Sequence, residues 1–152
     1  MTDAVKVAGE AREVALAEAA AVLAMARDDE YRARLADVVA AVDEGEVEGE
    51  EAESLEQLLE LGLQSGRLRA VYGPGGEQAA LGLYRRLPRG AALTASAKEV
   101  SGALAALEGR SLDSVSLQAV GPGAFSLSLS ADGVEVSLRL DRQGARLASV
   151  GV

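Results

Sequence analysis

The chain has 152 residues with 24 acids, 15 bases, no histidine and no cysteine, for a formal net charge of −9. That inventory excludes disulfides, thiolate chemistry, Cys/His zinc sites and a Ser–His–Asp triad. Hydrophobic residues make up 49% and aromatics only 3%, so the expected core is built of Leu, Val and Ala, and wholesale disorder is not expected.

Residues 1–7 carry Asp3 and Lys6, and the Ala-rich run that follows is broken by Glu10, Arg12, Glu13 and Glu18. This start reads as neither a signal peptide nor a membrane span, and the expected location is cytoplasmic. Residues 2–27 predict one long helix, because Ala is the best helix former. Its apolar positions (Val7, Ala11, Val14, Ala17, Ala21, Met25) drift around the circumference. Such a helix either enters the monomer core or meets a partner helix, for instance that of a second copy. Asp28, Asp29 and Glu30 suit the positive end of a second helix, whose stripe is Tyr31, Leu35, Val38 or Val39, and Val42.

Seven acids with Gly45 and Gly49 between them fill residues 43–53. Their spacing does not follow a twelve-residue calcium loop, and an acidic linker feeding the next helix is expected. That helix is predicted at 51–64, with Leu55, Leu58 or Leu59, and Leu61 or Leu63 as its stripe. Residues 67–72 alternate as a strand, Gly73-Pro74-Gly75-Gly76 reads as a turn, and 77–87 is read as a second strand in preference to a helix. The glycine-rich turn is a poor phosphate loop: it lacks the Gly-Lys-Ser/Thr ending, Pro74 removes a donor and Glu77 adds a negative charge.

The last third is the most legible. Residues 94–108 predict a helix with Val100, Leu104 and Leu107 on one side, Ser96 and Glu99 as a capping box, and Gly109 beyond its end. Gly102 in mid-helix suggests close packing on a sheet. Val115, Leu117 and Ala119, then Phe125, Leu127 and Leu129, then Val134, Val136, Leu138 and Leu140 alternate with polar residues at period two. Residues 145–152 alternate poorly and predict a less regular edge strand. Asp132-Gly133 suits a two-residue hairpin, and the short loops dictate an antiparallel meander. One face of that sheet is aliphatic and calls for cover by the preceding helix.

Three helices, a strand, a glycine-rich turn and a second strand over the first 90 residues or so resemble a winged helix. Residues 59–63 would end its recognition helix, and 68–87 would form the wing. The resemblance implies DNA binding through the third helix, and the charges oppose it. Residues 1–66 hold 17 acids against 5 bases, and the would-be recognition helix carries Glu51, Glu53, Glu56 and Glu60, which phosphates repel.

The fold class expected is therefore α+β: an acidic helical region at 1–90, winged-helix-like in its order of elements, followed by a helix on a four-stranded antiparallel meander at 91–152. Arg67, Arg69, Arg85, Arg86 and Arg89 would cluster if the two wing strands pair, as a patch for an anion, an acidic partner or the chain's own acidic half. No catalytic, cofactor or metal residue stands out. The expected role is a non-enzymatic protein-interaction or regulatory module that self-associates through its N-terminal helices as a homodimer. The alternatives are a small-ligand binder with its pocket between the 94–108 helix and the sheet, and a winged-helix DNA regulator.

Overall fold

A computed structural model describes residues 3–151. They fold as α+β, with five helices, a four-stranded antiparallel sheet and a two-stranded ribbon among the described residues. The chain forms two compact units, Met1–Ala91 and Ala92–Val152.

In the first unit the expected long helix at 2–27 starts late; Thr2 lies outside the described residues. Val5–Lys6 (β1) pairs antiparallel with Glu46–Val47 (β2), and the helix α1 runs Gly9–Met25. A Val-Lys-Val start favours an extended chain once a partner strand exists, and the Val7 amide donates to the Gly45 carbonyl at 2.8 Å. Gly9, at φ +61°, turns the chain into α1. The second helix, α2, is Asp29–Glu44, capped by the Asp28 carboxylate, which accepts from the Tyr31 amide at 2.8 Å. The acidic linker expected at 43–53 is mostly ordered structure. Gly45 closes α2 in the left-handed region, β2 follows, and α3 occupies Gly49–Gln64.

The wing is absent. Residues 67–84 are helical (α4, Arg67–Tyr84), with one break at Gly73 (φ 74°, ψ 178°) just ahead of Pro74. The glycine-rich stretch does interrupt the chain, but both flanks are helix because Leu68, Ala80, Leu83 and Tyr84 are buried at helical spacing while Val71 stays exposed. A helix also replaces the strand expected at 77–87. Without strands on either side of the glycines there is no winged helix.

α1 packs on α2, α3 and α4, α2 on α3, and α3 on α4. Val14, Ala15 and Ala19 of α1, Leu35, Val38 and Val42 of α2, Ala52, Leu55 and Leu59 of α3, and Leu68 and Leu83 of α4 are buried together. The small residues of α1 thus serve the core of the unit. The helix α5 runs Pro88–Leu104 and ends in a 3-10 turn, Ala105–Leu107. It begins six residues before the expected 94, so Pro88 opens the helix rather than stopping the one before it. Ser96 lies inside α5 and donates to the Ala145 carbonyl instead of capping. Gly102 is exposed with open space around it, so the close packing expected there does not occur. Gly109 takes φ +72° just past the 3-10 turn, as expected.

The second unit's sheet is a meander in the order β3 (Leu112–Gly121), β4 (Ala124–Ala131), β5 (Val134–Asp141), β6 (Gly144–Gly151). Leu117 faces Leu127, Leu127 faces Leu138, and Leu138 faces Leu147 across the strands. Val100 of α5 buries with Val134, Val136 and Leu138, and Leu104, Leu107, Leu127, Ala145 and Leu147 close around them. The cover is narrower than the aliphatic face requires: it lies over β5 and its neighbours and leaves every residue of β3 exposed. β6 shows the expected irregularity as a register shift opposite Ser137 and Leu138.

Candidate functional site

The first unit contains an open cleft of about 620 Å³ between α1, α2, α3 and the start of α4. Val22 and Met25 contribute from one side of α1, and Leu58 and Leu61 from one side of α3, each pair spaced one helical turn apart. Met25 is 66% exposed and Leu61 69%, so two large apolar side chains stand at the site without cover. Tyr31 and Arg34 enter from the first turns of α2, with the Arg34 guanidinium 6.0 Å from the centre of the Tyr31 ring. A smaller recess shares Arg34 and Ser54 with the cleft and adds Asp37, Glu50 and Glu51.

One of the polar groups that line the cleft, Glu18, is buried, and the helix register carries it there. Glu18 follows Val14 and Ala15 by one turn, so the core stripe of α1 carries it inward, where it is 2% exposed. One carboxylate oxygen accepts from Arg67 Nε at 2.7 Å, and the other from the Tyr72 hydroxyl at 2.9 Å. Both partners come from the first half of α4, so the network ties α4 to α1. A buried carboxylate is tolerable only when paired in this way. Burial, and then the bond to Glu18, pushes the Tyr72 phenol from 10.0 up to about 12. Unfolded chains therefore release this proton first. The associated stability is full below pH 10 and is lost as pH rises from 10 towards 12. Ultraviolet titration of the folded protein is expected to show a phenolate step near pH 12, absent from Tyr72→Phe; a native protein whose tyrosines all ionise near pH 10 would contradict this assignment.

A second acidic group lies at the start of α5. Glu56 is 6% exposed and accepts from the Arg89 amide at 2.7 Å, supplying the cap that α5 lacks locally. Its carboxyl is held above the usual range, chiefly by burial. Arg89 Nη1 lies 3.2 Å from Glu60 Oε2, close enough for an ion pair although the angle is not that of a hydrogen bond. Burial, with Glu60 and Glu56 nearby, also raises the Tyr84 phenol. Glu56 occupies the buried stripe beside Ala52, Leu55 and Leu59. That register was the available sign of its burial, as the Val14–Ala15 spacing was for Glu18.

The five arginines expected to cluster are distributed along α4 and just beyond it. Arg67 and Arg69 sit on its first turn, whereas Arg85, Arg86 and Arg89 lie at or past its far end. The strand pairing that would have brought them together does not exist. Arg67 bonds Glu18, Arg69 lies 3.3 Å from Glu77, Arg86 donates to the Lys6 carbonyl at 2.8 Å, and Arg89 pairs with Glu60. Arg85 caps α4 and is exposed.

Among the described residues no group of three or more acids is placed to hold a metal ion, and no helix is long and apolar enough to cross a membrane. No protein-family model, curated protein or solved structure matches the chain.

Proposed function

We propose that the protein is an interaction module whose N-terminal unit receives an amphipathic helix of a protein partner in the cleft between α1 and α3. The observation that carries this reading is the pair of exposed apolar side chains, Met25 and Leu61, at an open cleft walled by two helical stripes. Grooves of this form take the apolar face of a helix, read at one-turn spacing. Asp37, Glu50 and Glu51 in the adjoining recess, and 18 acids against 10 bases over residues 1–91, favour basic flanks on that helix.

A synthetic amphipathic peptide of Leu and Lys is the probe. Saturable binding is expected, weaker at high salt, and Leu61→Asp is expected to weaken it by about tenfold or more, an effect of ~1.4 kcal/mol. Leu61 is solvent-facing, so the variant keeps its fold by circular dichroism. A peptide that fails to bind, or binds the variant equally well, overturns the proposal.

Binding of a small amphipathic ligand is a second reading. The cleft volume falls in the range of about 300–1,000 Å³ common to such sites, and Glu18 and Arg67 supply polar atoms beside an apolar wall. On this reading the ligand sits in the N-terminal unit instead of between α5 and the sheet. A thermal-shift screen that yields no hit removes it.

A further inference from the structure

The sheet has two edges, and they are built differently. At the β6 edge Arg139 and Arg146 face each other across the strands, and Asp141 accepts from both as well as from the Gln143 amide. That edge also has the register shift opposite Ser137 and Leu138. Charges and bulges of this kind keep foreign strands away.

β3 has no such protection over its centre. Its irregularities fall near the ends, between Leu112 and Ser114 and between Ala119 and Gly121, and Ser114–Ala119 between them is regular. Not one charged residue occurs from Ser114 through Ala131. Among the described residues β3 pairs with β4 only, so its outer row of backbone donors and acceptors is available. On the aliphatic face Val115 is 54% exposed and Leu117 60%, with Phe125 beside them on β4, all beyond the cover of α5. Both an open ladder and an open apolar strip therefore run along one edge.

We propose that β3 pairs antiparallel with β3 of a second copy, about a two-fold axis through Leu117, to make one continuous eight-stranded sheet. Three observations select a second copy over an unlike strand. The pattern is self-complementary: with Leu117 on the axis, Val115 meets Ala119 and Ser116 meets Gln118, apolar on apolar and polar on polar. An isologous contact requires that property. A neutral strand offers a charged foreign peptide no complementary charge. And residues 92–152 hold 6 acids against 5 bases, so two sheet units meet with little repulsion, whereas two copies of residues 1–91 would bring together 18 acids each. The contact lies on a different unit from the cleft and does not rest on the function proposed for it.

Light scattering after size exclusion, on the full chain at increasing concentration, is expected to give a particle of twice 15.5 kDa. Leu117→Lys places two cations at the axis and is expected to weaken the dimer by at least about tenfold, while Leu61→Asp leaves it intact. Because the chain has no cysteine, single substitutions map the axis directly. Leu117→Cys is expected to form an intermolecular disulfide under mild oxidation, and Ser149→Cys on β6 is not. A strict monomer, a dimer that survives Leu117→Lys, cross-linking through Ser149→Cys in preference to Leu117→Cys, or open-ended polymers would each overturn the assignment.

Discussion

Gly90→Ala is expected to lower the stability of the helical unit by more than about 3 kcal/mol, in the rare upper tail of single substitutions. A Cβ at Gly90 would lie 1.8 Å from the Tyr84 carbonyl oxygen and 2.6 Å from its carbon. These are backbone atoms, and no rotamer change relieves the overlap. Nor is the backbone free to shift. The Tyr84 carbonyl accepts from the Leu87 amide at 3.1 Å, the Leu87 carbonyl accepts from the Ala91 amide at 2.7 Å, and Leu87 itself is fully buried. The first turn of α5 is held from the other side by Glu56 at the Arg89 amide. Moving either segment gives up one or more of these bonds, each worth about 1 kcal/mol net and more if an orphaned group stays buried. The gain in helix propensity from Gly to Ala is only about 1 kcal/mol, so the sign is settled. Gly82→Ala is the control. Gly82 is exposed within α4 with nothing within 4 Å of a Cβ, and the substitution is expected to stabilise by about 0.5–1 kcal/mol. Melting temperatures read the pair, at roughly 4–8 °C per kcal/mol for a unit of this size. Equal melting temperatures for the two variants would mean that the junction of α4 and α5 is not packed as described.

The same junction shows why some of the fold was hidden in the sequence. The meander was legible because period-two alternation is repeated and the turns are short, so strand identity and neighbour order follow together. The helix at 67–84 was not. Leu68, Ala70 and Tyr72 alternate over a stretch too short to distinguish from the one-turn spacing of Leu68 and Tyr72, and the glycines with Pro74 look like a reversal of the chain. Only tertiary burial, from Leu68 across the break to Ala80 and Leu83, decides for helix. Once that choice is wrong, the strand pairing that grouped the arginines at 67, 69, 85, 86 and 89 is lost. The buried acids were hidden for a different reason. Glutamates in an acid-rich helix read as solvated, and only their register with Val14 and Ala15, or with Ala52 and Leu55, marks Glu18 and Glu56 as inward. The cleft left one trace, the excess width of the apolar surface on α1, of which Met25 is the exposed remainder.

Leu138→Ala is expected to unfold the sheet unit under conditions in which the helical unit stays folded. Among the described residues the cluster between α5 and the sheet has four buried members, Val100, Val134, Val136 and Leu138. Leu138 is the largest of them and stands between Leu127 and Leu147 across the strands. Truncating a buried leucine to alanine costs about 2–5 kcal/mol, the lost transfer energy plus the cavity. A unit of this size is worth in all about 3–9 kcal/mol, so the substitution takes from about a fifth of it to all of it. The helical unit loses nothing directly, because its core residues (Leu35, Leu55, Leu59, Leu68, Leu83) belong to another cluster. Amide exchange should separate the two: β4 and β5 amides are expected to lose protection by about 30-fold or more, as a loss of 2 kcal/mol requires, while α3 amides keep theirs. The dimer should fail with the sheet, since β3 keeps its register only through β4 and β4 through β5, whereas peptide binding at the α1–α3 cleft should persist. Equal loss of protection in α3 and β5 would instead mean that the two units unfold as one, and that the edge strand and the cleft share a single stability.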